Sequence, residues 1–191
     1  MAAERTIGLV GSRAGSLIED CFLNLKLLDL RLKGRITMAK SERNSIIEEL
    51  KKSYSMELET VLNYLANSID LDGVRAEEIK KALAADVSEE LLHARALGER
   101  IKQLGGQAEG SLSLKFGQKS LQPPADTTDV SAVIEGVLEA EEGAIKQYNK
   151  IILQCEGTDY VTQDLAIRLL SQEEAHRVQF EGFLKEYRKK A

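Results

Sequence analysis

The sequence predicts an all-α fold, a four-helix bundle of two antiparallel hairpins joined by a long crossover. Three observations carry that expectation. The chain is rich in helix formers, with 2 prolines and no tryptophan in 191 residues. Four long segments each carry an apolar seam with alternating steps of three and four residues. The links between those segments run short, long, short.

Residues 1–40 are set apart as an N-terminal extension. Gly8, Gly11 and Gly15 punctuate its start, and leucines fall on alternate residues from Leu23 to Leu27 and again from Leu28 to Leu32. Alternation reads locally as strand, but nothing downstream offers a sheet to receive it. Two readings stand: an accessory arm, or upstream sequence included by a wrong start, since Met38 begins a more ordinary helical protein. Residues 41–191 form the bundle domain. Its first helix is expected over 41–68, with Asp70-Leu-Asp-Gly73 turning the chain. The second covers 76–104 and stops at Gly105-Gly106, a helix C-terminal signal. Residues 107–128 hold Gly110, Gly117, Pro123 and Pro124 and show little helical pattern. A link of this length can carry the chain along the whole bundle. The third helix is expected over 129–157, with Thr127 and Thr128 as cap candidates. The fourth covers 158–189, with Thr158 as its N-cap.

Several function classes are disfavoured at once. A net charge of −5 argues against nucleic-acid binding driven by overall charge, so DNA is not expected as a partner, and cations are mildly attracted. Cys21 and Cys155 lack CxxC spacing, which suggests neither a zinc ribbon nor a disulfide framework. No apolar run approaches the roughly 20 residues that span a bilayer, so no membrane association is expected. Glu19, Asp20 and Asp29 interrupt any signal-peptide core, and a cytoplasmic protein is the expectation.

The chain has 2 histidines, and each follows a glutamate by three residues: Glu90-Leu-Leu-His93 and Glu173-Glu-Ala-His176. Residues i and i+3 share a helix face, so each pair can aim a carboxylate and an imidazole at one point. The seams place glutamate at core positions in every helix. They read Leu50, Tyr54, Glu57, Val61, Tyr64; Leu83, Asp86, Glu90, His93, Leu97; Leu138, Glu141, Ile145, Tyr148; and Leu169, Glu173, His176, Phe180. Glu57 precedes Glu90 by 33 residues and Glu141 precedes Glu173 by 32, which sets each pair at one height in a short-turned hairpin. The halves repeat with an offset of 83 or 84, as in an internal duplication. Four buried carboxylates repel one another, and two divalent cations resolve that charge while two imidazoles complete the ligand set. Mixed Glu and His ligation suits iron or manganese, and zinc fits as well.

Residues 41–189 resemble the ferritin-like superfamily, closest to its bacterioferritin and Dps-like branch. The resemblance is carried by Glu57-Leu-Glu-Thr-Val-Leu-Asn-Tyr64, Glu90-Leu-Leu-His93, Arg100-Ile-Lys-Gln-Leu-Gly-Gly106, Leu138-Glu-Ala-Glu-Glu-Gly-Ala-Ile145 and Ser171-Gln-Glu-Glu-Ala-His176. It implies Glu57, Glu90 and His93 for one metal, Glu141, Glu173 and His176 for the other, and Glu90 and Glu173 as bridges. It also implies two iron ions per chain. Haem-binding members carry methionine where this chain has Leu91, so no haem is expected. Only 15 residues follow His176, leaving little room for a fifth helix and favouring a homo-oligomeric shell as small as a dodecamer.

Tyr64 and Tyr148, each seven residues past a candidate ligand, are expected to touch a ligand carboxylate or supply an electron. Tyr54 reads as core, and Cys155 as a buried inert thiol. Asp86 either orients a ligand histidine or faces solvent. The basic end, with Lys185, Arg188, Lys189 and Lys190, complements the last helix dipole. The functional expectation is a di-iron ferroxidase that oxidises Fe(II) with O₂ or H₂O₂, stores iron and detoxifies it. The alternative is a di-iron or di-manganese peroxidase or catalase-like enzyme without mineral storage. A non-enzymatic bundle with vestigial ligands is the third reading.

Overall fold

The computed structural model describes residues 39–189; the expectation for an N-terminal extension lies outside them. Four helices form: α1 Lys40–Asp70, α2 Glu77–Gln103, α3 Val130–Cys155 and α4 Tyr160–Tyr187. A 3₁₀ turn, Val74–Ala76, leads into α2. No strand occurs among the described residues. Helices α1 and α2 pack as one hairpin and α3 and α4 as the other, with α1 beside α3 and α2 beside α4.

The turns follow local chemistry. Gly73 adopts φ +97°, a left-handed conformation that costs glycine least, and its carbonyl accepts from the Ala76 N–H at 2.9 Å. Gly105 does the same at the end of α2 (φ +85°), where the Gly106 N–H returns to the Ile101 carbonyl. The N-caps of α3 and α4 correct the sequence expectation by one or two residues. Asp129, not Thr127 or Thr128, accepts from the Ala132 N–H, and Asp159, not Thr158, accepts from the Thr162 N–H, each at 3.1 Å. The threonines serve the loops instead: Thr128 bonds Asp126, and Thr127 donates to Asp72 at 2.7 Å.

Two apolar ends enclose a polar middle. At one end Leu71, Ile79, Leu83, Leu121, Val133, Ile134, Val137 and Phe180 pack together. At the other, Ile46, Leu50, Leu97, Ile101, Ile151, Cys155 and Ala166 are buried. Burial pushes the Cys155 thiol up to about 11, consistent with an unreactive cysteine.

The crossover tracks α1 along its length. Gly106 lies against Ile47, Gly117 against Glu59, Leu121 against Asn67, and Thr127 against Asp72. From Ile47 to Asp70 the helix rises about 35 Å at 1.5 Å per residue, a span well within the reach of residues 106–127 at about 3.3 Å each. The route explains why α1 buries a second, polar stripe, which the seam reading missed. Glu59 accepts from the Gly117 and Gln118 N–H groups at 2.7–2.8 Å, and Asn67 donates to the Leu121 carbonyl at 2.9 Å. These groups satisfy backbone that has no helix of its own. On α3 the crossover needs a notch: a Cβ on Gly136 would lie 2.9 Å from the Ser120 carbonyl carbon and 3.0 Å from the Leu121 Cα.

Candidate metal centre

All six candidate ligands meet in the polar middle layer, one or two from each helix. Glu57 comes from α1, Glu90 and His93 from α2, Glu141 from α3, and Glu173 and His176 from α4. Each is between 1% and 6% exposed. They form two overlapping sets, Glu57, Glu90, His93 and Glu173, and Glu90, Glu141, Glu173 and His176, with ligand atoms within 4.8 Å of one another. Glu90 and Glu173 belong to both.

The histidines enter with Nδ1 foremost. His93 Nδ1 lies 3.0 Å from Glu173 and 3.2 Å from Glu90; His176 Nδ1 lies 3.3 Å from Glu90 and 3.5 Å from Glu173. These approaches lack hydrogen-bond alignment, so both Nδ1 atoms, both Glu90 oxygens and Glu173 Oε1 are buried without a partner. Buried polar atoms left unpaired are costly. Five of the eight such side-chain atoms among the described residues gather at this one point, which fits a cation-binding centre, and the oxygen and imidazole donors fit iron, manganese or zinc.

Electrostatics point the same way. Burial first, then the charges of Glu173 and Glu90, hold the Glu57 and Glu141 carboxyls well above the usual range. Burial also pushes Glu90 up, but the two histidines outweigh it and draw it down to about 2. The same carboxylates overcome desolvation at the imidazoles, raising His93 to about 9 and His176 to about 12. Without a cation, burial and mutual repulsion thus favour the protonated forms of Glu57 and Glu141, and the carboxylates favour the charged imidazoles; a bound cation would offset the same negative charge.

The surrounding contacts cross between the halves. Tyr64 donates to Glu141 Oε1 at 2.5 Å, and Tyr148 donates to Glu57 Oε1. Thus both tyrosines contact a candidate ligand, each in the opposite hairpin. Asp86 is buried, but it is Glu89 that meets His176 Nε2, at 3.0 Å. Gln172 meets His93 Nε2 at 3.1 Å. Sequence reasoning missed Glu89 and Gln172. The signal was present, since each directly precedes a shared glutamate and the two are 83 residues apart. Tyr54 is half-buried and packs over Gly98.

No helix among the described residues is long and apolar enough to cross a membrane. The chain is 30% identical over 142 residues to the bacterioferritin of Desulfovibrio desulfuricans, covering 72% of this chain and 73% of that protein. A solved bacterioferritin from that organism, described with its diiron site in different catalytic states, matches with a TM-score of 0.66 at 26% identity over 78% of this chain and 83% of its own. The DNA protection during starvation protein of Pyrococcus furiosus is 29% identical over 143 residues, 73% of this chain and 76% of that protein. A dodecameric thioferritin from Bacteroides fragilis shares the fold, with a TM-score of 0.66 at 22% identity over 82% of this chain and 90% of its own. The family of ferritin-like domains matches residues 47–190, and with the four helices and their topology this establishes that the chain belongs to the ferritin-like family.

Proposed function

We propose that this protein is a non-haem di-iron ferroxidase that oxidises Fe(II) and stores the product in a homo-oligomeric shell. The observation that carries the reading is the convergence of two histidines and four glutamates, with five buried ligand atoms lacking any partner. Glu57, Glu90 and His93 hold one ion, Glu141, Glu173 and His176 the other, and Glu90 and Glu173 lie between them. Two Fe(II) substrate ions held there would each lose one electron to become Fe(III), and with two protons from water these electrons would reduce O₂ to H₂O₂, or H₂O₂ to two waters. The chain's own residues bind and orient. Tyr64 and Tyr148 fix the outer carboxylates, Glu89 and Gln172 fix the imidazoles with Nδ1 inward, and the apolar ends exclude bulk water.

Exposed leucine and isoleucine side chains support assembly. Leu62, Leu65 and Ile69 line one stripe of α1, and Leu91 and Leu92 stand out from α2. Such apolar surface suits contacts between copies of the chain. The proposed shell is a dodecamer in the cytoplasm, and DNA is not a proposed partner.

Fe(II) added to the metal-free protein should be oxidised faster than in buffer, and Glu90→Ala or His176→Ala should abolish the fast phase. Equal rates with and without protein would sink the ferroxidase reading. Light scattering with iron analysis gives shell size and storage together. Peroxide turnover without retained iron would favour the peroxidase or catalase-like alternative.

A further inference from the structure

The two halves of the centre are alike in their candidate ligands and unlike in what backs them. Glu89 on α2 places Oε2 3.0 Å from His176 Nε2, while Gln172 on α4 places its amide oxygen 3.1 Å from His93 Nε2. The positions are equivalent, 83 residues apart like Glu90 and Glu173. One backing group is an anion and the other a neutral amide. A second difference falls on the same side. Asp86 is 7% exposed, has Oδ2 unpaired and lies within charge range of His176, the one histidine it reaches, as well as of Glu89 and the shared Glu90 and Glu173. Its equivalent 83 residues on is Leu169.

We infer that the two metal positions are unequal, the one on His176 and Glu141 binding a divalent cation more tightly than the one on His93 and Glu57. This rests on the dinuclear reading proposed above and adds an order of filling to it. A carboxylate accepts the Nε2–H in a charge-assisted bond roughly twice as strong as a neutral one, which fixes the tautomer and makes Nδ1 the better electron donor. Asp86 adds another negative group beside the same position. Glu89 is 53% exposed, so solvent screens part of its charge. The difference is set at about tenfold in affinity, the low end for partners that orient a ligand. Glu89 and Gln172 are thus positioning residues. The tighter position keeps its ion while the other exchanges.

The test is an anaerobic titration of the intact metal-free protein with Co(II), read by visible absorption against a competing chelator, with helicity checked for every variant. Two steps per chain, about tenfold apart, are expected. His93→Ala should keep the tighter step and His176→Ala should lose it. Glu89→Gln should loosen only the tighter step. Gln172→Glu should tighten only the looser one, a gain that a merely structural role does not produce. Equal affinities in the native protein, or Glu89→Gln weakening both steps alike, would overturn the inference and leave the dinuclear reading standing. Failure to bind any Co(II) would overturn both.

Discussion

The Tyr64 hydroxyl donates to the Glu141 carboxylate at 2.5 Å, joining residues 77 positions apart across the interface of the two hairpins. Its counterpart, Tyr148 to Glu57, runs the opposite way. Each half therefore holds the outer carboxylate of the other. Tyr64→Phe keeps the ring, which is buried against Phe180, and removes only the donor. The expected outcome is a loss of about 1 kcal/mol in stability and roughly tenfold weaker metal binding. Chemical denaturation and a metal titration on the same variant separate the two effects.

The carboxylate cluster sets function against stability. Glu57→Gln removes a buried acid whose charged form is opposed by burial and by Glu173 and Glu90. In the metal-free state this variant should melt at a higher temperature than the native protein. With saturating Zn(II) the order should reverse, because the native chain gains more from the ion. Thermal melts with and without Zn(II) decide it, and a native-like response to the metal would remove Glu57 from the proposed ligand set.

Two glycines provide a paired test of the crossover's path. Gly136→Ala drives a methyl into the Ser120 carbonyl and should cost about 1–3 kcal/mol. Gly182→Ala, on α4 with nothing within 4 Å, should stabilise by up to about 1 kcal/mol through helix propensity. Opposite signs expected for one substitution leave little room for a general effect of alanine. Urea unfolding of both variants measures the difference.

Arg100 and Asp159 tie the end of α2 to the start of α4, with Arg100 Nη2 at 2.7 and 2.9 Å from the two carboxylate oxygens. Burial pushes the Asp159 carboxyl up, but the Thr162 hydroxyl and N–H and the Arg100 guanidinium outweigh it and hold the group below the usual aspartate range. A lowered folded-state value means that the stabilisation is full above the unfolded value of about 4 and is lost as pH falls through the folded one. Asp159→Asn should cost about 2 kcal/mol at pH 7. The gap between variant and native protein should close on acidification below about pH 4, as unfolding curves at several pH values would show.

The helices and the heights of Glu57, Glu90, Glu141 and Glu173 were legible because both depend on a local period of 3.6 residues. A seam repeats every turn, and hairpins with links of six and four residues leave little freedom in register. The 83-residue echo belongs to the same kind of information. The path of the crossover was not legible, since residues 107–128 have no period. Its partners, Glu59, Asn63, Asn67 and the notch at Gly136, lie on helices whose core seams gave no reason to look at them. Tertiary structure also decided that each tyrosine serves the opposite half, and that Glu89 rather than Asp86 meets the His176 ring. Those choices depend on how two hairpins face each other. By itself the sequence determined four helices and the inward-facing seams that carry the six candidate ligands, through backbone periodicity. Only packing decided which inward-facing groups touch, because contacts between hairpins depend on their relative placement and not on spacing along the chain.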